Sequence, residues 1–240
     1  MTCGDPDLAT THAVALAALD AGASVIELGV PFSDPVADGP VIQRASHRAL
    51  ARGTTLKDVF RLARALRRER PEAGLIVFSY FNPVLRFSLR RFCDEAARFG
   101  ADGALITDLT VEEAGEYVEH MRARDLATVF LAAPTSTDAR LRAIARASTG
   151  FVYAVSRAGV TGARRVLSAD AQQLVRRLRR FTHLPIAVGF GISTPAQFRA
   201  VGRFADAAVV GSAIVELVER NPSPRRAAHA VGKWIRRLTK

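Results

Sequence analysis

Short apolar and β-branched runs recur along the chain, each followed by a stretch whose apolar residues return every three to four positions. The runs fall at residues 24–29, 74–79, 102–107, 127–132, 150–154, 184–188 and 207–211, with a fragment of another at 1–3. Helical periodicity occupies 8–21, 41–52, 56–70, 89–99, 111–124, 139–147, 168–181, 195–204 and 212–219, and a last helix covers 224–238. Strands that alternate with helices in this way predict parallel βαβ units. Polar caps at Thr137-Asp138 and at Ser193-Thr194-Pro195 stand where two of these helices should begin.

An open doubly wound sheet could hold seven such strands. Polar and glycine-rich residues, however, follow nearly every run: 4–6, 31–40, 80–83, 108–110, 134–137, 156–162, 189–193 and 211–212. Eight such turns at strand C-termini match the ring of loops on the active face of a barrel. The length of 240 residues sits near the roughly 250 typical of that fold. The expected architecture is therefore α/β, a (β/α)₈ TIM barrel spanning 1–240 as one domain, with its first strand largely missing at the N-terminus.

Composition narrows the function. No apolar run reaches the roughly 18 residues of a membrane span, and Met1-Thr2-Cys3-Gly4-Asp5-Pro6 lacks the basic and apolar regions of a secretory signal. Cys3 and Cys93 cannot build a disulfide framework, and no Cys/His spacing resembles a metal site. A reducing cytoplasm is the expected location. The net charge of +11 comes from 34 basic residues of which three are lysine. Arginine clusters at 61–70 and 176–180 lie on helical periodicity, so solvated helix faces are the expectation. A nucleic-acid surface lacks the interleaved aromatics it would need.

Two sets of residues carry candidate chemistry. Gly159-Val160-Thr161-Gly162, Gly189-Phe190-Gly191-Ile192-Ser193 and Gly211-Ser212 are glycine-bearing turns, the last two after the final strands. Each alone could be a tight turn; together they suit backbone N–H groups cradling a phosphate, with Ser212 opening a helix whose dipole favours an anion. Glu27 sits inside an apolar strand and should point into the barrel mouth, where desolvation raises its pKa. A structural ion pair at the rim is the alternative. Asp38, taken alone in Asp-Gly-Pro, fits turn chemistry better than catalysis, and Asp34 reads as structural.

The segment Glu27-Leu28-Gly29-Val30-Pro31-Phe32-Ser33-Asp34-Pro35-Val36-Ala37-Asp38-Gly39-Pro40-Val41-Ile42-Gln43 closely resembles the signature of the tryptophan synthase alpha chain family. So do Tyr80-Phe81-Asn82-Pro83, Asp108-Leu109-Thr110-Val111-Glu112-Glu113, Ala133-Pro134-Thr135-Ser136-Thr137, Ser156-Arg157-Ala158-Gly159-Val160-Thr161-Gly162, Gly189-Phe190-Gly191-Ile192-Ser193 and Gly211-Ser212-Ala213-Ile214-Val215. These blocks follow family order over nearly the whole chain. The resemblance implies a lyase that splits indole-3-glycerol phosphate into indole and glyceraldehyde 3-phosphate, in the last steps of tryptophan biosynthesis. It implies no cofactor in this chain, pyridoxal phosphate in a partner beta chain, and an α₂β₂ assembly.

By motif, Glu27 matches the acid–base glutamate, Asp38 the aspartate that holds the indole N–H, and Tyr153 a tyrosine lining the site. Gly162, Phe190, Gly191, Gly211 and Ser212 match the phosphate pocket, and Thr161 lies in the family's flap. The 31–40 loop, with Pro31 and Asp34, and the segment from Asp108 match the face turned to the beta chain. Tyr80 and Asn82 fall on the same side, with core packing as their alternative.

The chain departs from the family pattern in three places. Only Met1-Thr2-Cys3 precedes Gly4, where a helix and a full strand are usual. A natural start upstream of Met1 is the expectation, and a natural truncation with impaired folding is the alternative. That departure keeps open a weakly active or non-catalytic subunit that activates a beta chain; a stand-alone lyase that frees indole is a separate further reading. Thr110 stands where proline is common, so coupling to a partner could differ. The stretch before Gly211 is one residue shorter than in many members.

Overall fold

The computed structural model describes residues 1–155, 169–189 and 191–238. Seven parallel strands follow one another in space as they do in sequence: β1 (Val25–Gly29), β2 (Gly74–Ser79), β3 (Gly103–Ile106), β4 (Ala127–Ala132), β5 (Val152–Val155), β6 (Ile186–Gly189) and β7 (Ala207–Ala208). No strand is skipped, so the sheet has no point where its order reverses. The doubly wound alternative is excluded on that ground. The architecture is the curled sheet of a TIM barrel with its first strand reduced. Thr2 forms a single parallel bridge to Gly29, flanked by Gly29 N donating to Met1 O at 2.8 Å and Cys3 N to Gly29 O at 2.9 Å.

Side chains alternate across the strands and so divide between two cores. Ile26, Leu28, Leu75, Val77, Ala104, Ile106, Phe130, Ala132, Val152, Ala154, Ile186 and Val188 join the large core between sheet and helices. The opposite parity fills the interior with Ile76, Leu105, Val129 and Tyr153, flanked by Phe78, Leu131, Val155 and Val209. Glu27 pairs in register with Ile76, Phe78 with Leu105, and Leu131 with Tyr153. Glu27 therefore belongs to the interior set.

The helices are α1 (Leu8–Asp20), α2 (Pro40–Ala51), α3 (Leu56–Glu69), α4 (Phe81–Phe87), α5 (Leu89–Arg98), α6 (Gly115–Arg122), α7 (Asp138–Ala147), α8 (Ala169–Leu178), α9 (Pro195–Val201), α10 (Ser212–Arg220) and α11 (Pro224–Leu238). In α3, Thr55 and Asp58 satisfy the first turn reciprocally, and Leu56, Val59, Phe60, Leu62, Ala63 and Leu66 are buried. The sequence pattern takes 80–83 as a turn and leaves α4 out. Pro83 is the third residue of α4, where its missing N–H has no intrahelical acceptor to lose. Ser88, at φ +78°, ends α4 and starts α5.

Many arginines do more than coat helix faces. Arg67 donates to Gly100 O, Pro71 O, Ala73 O and Asp102 Oδ2 at 2.6–3.0 Å, fastening α3 to the turns that enter β2 and β3. Arg177 holds Pro134 O, Ser136 O and Asp138, and Arg179 pairs with Asp206. Arg48 grips the buried Asp5 through two bonds of 2.7 and 2.9 Å and reaches Glu219, tying α2 to the first turn and to α10. Among the described residues, no helix is long and apolar enough to cross a membrane.

Candidate active site

Glu27 stands in the middle of β1, and strand parity aims it inward. Its Oε1 is buried and has no hydrogen-bond partner among the described residues, an expensive position for an ionised oxygen. Burial lifts its pKa from 4.5 to about 7, and the positive amino group of Met1 pulls weakly the other way. That amino group donates to the Glu27 carbonyl oxygen at 2.9 Å. No ion pair of Glu27 occurs among the described residues.

Asp38 lies in the loop from β1 to α2. Its N–H donates to Pro35 O at 2.9 Å, and Gln43 Nε2 donates to its carbonyl at 2.8 Å, so the turn reading holds for the backbone. The carboxylate is engaged separately: the Tyr80 hydroxyl donates to Oδ2 at 2.9 Å. Burial raises the Asp38 pKa, against which the Tyr80 hydrogen bond and the Met1 amino group act.

Tyr153 comes inward from β5 and is buried among Ile76, Leu105 and Val129. Its pKa is pushed far up by burial first, then by the negative charges of Glu27 and Asp38. The three groups thus share one electrostatic neighbourhood. Tyr153 also explains a residue that sequence reading assigned only to turn and phosphate duty. A Cβ on Gly189 would lie 1.9 Å from the Tyr153 hydroxyl oxygen, so the ring occupies the space a side chain at 189 would need.

Beyond β6 and β7 the turns open. Gly191 adopts φ +89°, a conformation that favours glycine, and a Cβ at Gly191 or at Gly211 would meet nothing within 4 Å. Gly211 caps α10, and Ser212 is its first residue, so the early amides of that helix lack intrahelical acceptors. The arrangement suits an anion. Of the remaining expected residues, Thr161, Gly162 and Phe190 lie outside the described residues. Asp34 and Asp108 are exposed, whereas Pro31 is buried. No cluster of three His, Cys, Asp or Glu that could hold a metal ion occurs among the described residues.

A cleft of about 920 Å³ opens on the side of the Asp38 loop; Glu27, Asp38, Tyr153, Gly191, Gly211 and Ser212 do not line it, and it meets the interior only through Leu131 and Val155. Leu131 and Val155 line it from the interior face of β4 and β5, Val36 and Ala37 from the Asp38 loop, and Thr135–Thr137 from the turn into α7. Leu131, Val155 and Val36 make its inner part apolar, while Glu112, Arg140 and Thr135–Thr137 make its outer part polar. Sequence reading missed Tyr80 as the partner of Asp38, since 42 residues separate them. The only signal was a tyrosine at a strand's end.

A glutamate with a buried oxygen on the interior face of a parallel barrel, an aspartate in the next loop and open glycine turns beyond the last strands give the chain the makings of a β/α-barrel enzyme. The sequence profile described as tryptophan synthase alpha chain matches residues 1–237. The chain is 54% identical over 221 residues to the tryptophan synthase alpha chain of Solibacter usitatus (strain Ellin6076), covering 92% of this chain and 82% of that protein. The alpha chain of Geobacter sulfurreducens is 47% identical, with 92% and 83% covered. A chain in a structure of the tryptophan synthase α₂β₂ complex from Pyrococcus furiosus superposes with a TM-score of 0.92 at 40% identity, covering 100% of this chain and 95% of that one. A chain of aminoacrylate-bound tryptophan synthase from M. tuberculosis gives 0.88 at 32%, with 99% and 91% covered. The chain belongs to the tryptophan synthase alpha chain family, a family of lyases.

Proposed function

We propose that this chain cleaves indole-3-glycerol phosphate to indole and glyceraldehyde 3-phosphate, as the alpha subunit of a cytoplasmic tryptophan synthase. The observation that carries the reading is the buried, unpartnered Glu27 oxygen on the interior face of β1. A carboxyl group with a pKa of about 7 is poised to give and take protons near neutrality.

The chemistry follows from what a retro-aldol split needs. The substrate's phosphate rests on Gly191, Gly211 and Ser212; the family motif assigns Gly162 and Phe190, which lie outside the described residues, to the same task. The indole ring lies in the cleft against Leu131 and Val155. Protonation at indole C3 by Glu27 creates an iminium at N1, whose N–H and charge ionised Asp38 stabilises. Glu27, now a carboxylate, takes the proton of the hydroxyl on the carbon attached to C3. The C–C bond then breaks, its electron pair restores the aromatic ring, and the oxygen becomes the aldehyde of glyceraldehyde 3-phosphate. The proton gained at C3 and the one lost from the hydroxyl balance. Tyr153 lines the ring's pocket, and the family motif assigns Thr161, outside the described residues, to a flap.

In this reading the alpha reaction draws on side chains alone, and pyridoxal phosphate resides in a beta chain docked across the 31–40 loop and the segment at Asp108. The structures of related complexes support that partnership, with α₂β₂ as the expected assembly.

Indole release from indole-3-glycerol phosphate, measured with and without a tryptophan synthase beta chain, tests the proposal. Slow release by the isolated chain and strong stimulation by the beta chain are expected, and Glu27→Gln should cut the rate by about 10³-fold with little change in KM. Full activity without a partner would favour the stand-alone lyase. Activation of the beta chain with no indole formed would favour the non-catalytic subunit, and inertness in both assays would overturn the reading.

A further inference from the structure

Tyr80 is placed with unusual firmness for a residue outside the cleft. It follows β2 directly, and its carbonyl oxygen accepts from the Ser79 hydroxyl at 2.9 Å. The Ser79 carbonyl is held by Thr107 N at 2.8 Å and by Thr107 Oγ1 at 3.2 Å. On the other side, the Phe81 N–H donates to Asp108 Oδ1 at 2.6 Å. The Tyr80 ring is buried and packs on Phe32, with centroids 5.2 Å apart and planes tilted by 34°. Its hydroxyl then spends both of its capacities on the Asp38 loop. It accepts from Ala37 N at 3.0 Å and donates to Asp38 Oδ2 at 2.9 Å.

We propose that Tyr80 is a positioning residue for the lyase reaction, a clamp that fixes the Asp38 carboxylate and the loop carrying it, and that Asp108 sets the clamp through the Phe81 amide. The inference rests on the reading of Asp38 as the group that meets the indole N–H. Local bonds hold the Asp38 backbone, from its N–H to Pro35 O and from Gln43 Nε2 to its carbonyl, but they leave the carboxylate free to turn. Asp34 and Val36 are exposed, and the Asp38 carboxylate has no other hydrogen-bond donor among the described residues. One hydroxyl therefore orients the carboxylate and favours its ionised form. Glu27 and Tyr153, which share its neighbourhood, and the Met1 amino group are the other titratable groups about Asp38. Among the described residues, the amino group and Tyr80 are the groups that favour its charge. The arrangement also joins the site to the face on which Asp108 is exposed, so a contact made at Asp108 reaches Asp38 through two hydrogen bonds.

Tyr80→Phe keeps the ring against Phe32 and removes only the hydroxyl. Loss of a hydrogen bond to a charged group predicts a fall in kcat of about tenfold or more, with KM within about twofold. The acid limb of the kcat profile should move to higher pH, because burial then acts on Asp38 without the opposing donor. Titration of the carboxyl carbons by ¹³C NMR should show the Asp38 midpoint rising in the variant, and this readout needs no turnover. Asp108→Ala, read on the isolated chain so that docking of a beta chain does not enter, should give a smaller change of the same pattern. An unmoved limb and an unmoved Asp38 midpoint in Tyr80→Phe would overturn the inference. If Tyr80→Phe fails to fold, an unchanged Asp38 midpoint in Asp108→Ala does so instead. A wild-type chain that releases no indole defeats the lyase reading, while the Asp38 titration still decides whether the clamp exists.

Discussion

Gly189→Ala adds one carbon at the place where β6 passes Tyr153. The backbone there needs no positive φ, so strain in the chain does not enter. The added Cβ would lie 1.9 Å from the tyrosine oxygen, 2.4 Å from Cζ and 2.7 Å from Cε1. Ordinary contact begins near 3.4 Å, so the ring must retreat by the difference, about 1.5 Å, from a buried position against Ile76, Leu105 and Val129. Overpacking of this kind costs about 1–3 kcal/mol of stability. Displacement of a site group by about 1 Å costs on the order of a hundredfold in rate. Urea unfolding and indole release should report both losses. Tyr153→Leu removes the clashing atoms, so the alanine's cost in that background should fall below about 1 kcal/mol, giving a coupling that a double-mutant cycle reads directly. Additive effects, or a Gly189→Ala chain within about 0.5 kcal/mol of wild type, would refute the reasoning.

Glu27→Gln should change stability in a pH-dependent way. Between pH 4.5 and 7 the unfolded chain loses the Glu27 proton while the folded chain keeps it, so stability falls across that window. Above pH 7 the variant should exceed wild type by up to about 3 kcal/mol, and at pH 4 the two should match; equal curves at pH 8 would contradict the buried carboxyl. Ser212→Asp sets a carboxylate at the first turn of α10, where KM for a phosphate substrate should rise at least about tenfold, and an unchanged KM would mean the cradle lies elsewhere. Arg48→Met strands the buried carboxylate of Asp5, which should cost about 3 kcal/mol in urea unfolding; a loss within error would show that Asp5 finds another partner.

The strands were legible because each is a short apolar run with a polar turn after it, and Glu27 because a charge in the middle of such a run has few innocent explanations. Asp38 was legible only through its long motif, since Asp-Gly-Pro alone describes a turn, and it does form one. Contacts between distant segments were not legible. Nothing near Tyr80 announces Asp38, and nothing near Gly189 announces that Tyr153, 36 positions earlier, needs its missing side chain. The α4 helix was hidden by Pro83, a breaker in a helix interior that costs nothing in a first turn. The arginines looked alike in sequence, and only packing separates Arg67 or Arg177, which bind carbonyls, from those facing water.

That separation changes what the charge of +11 means. A guanidinium such as that of Arg67 spans three carbonyl oxygens and a carboxylate with a rigid planar fork, a task a lysine ammonium cannot copy. Blanket exchange of arginine for lysine would preserve the isoelectric character and still unstitch the ring at its seams. For the same reason a dicarbonyl reagent selective for arginine should first loosen the scaffold as a whole, and only through that loosening silence its chemistry.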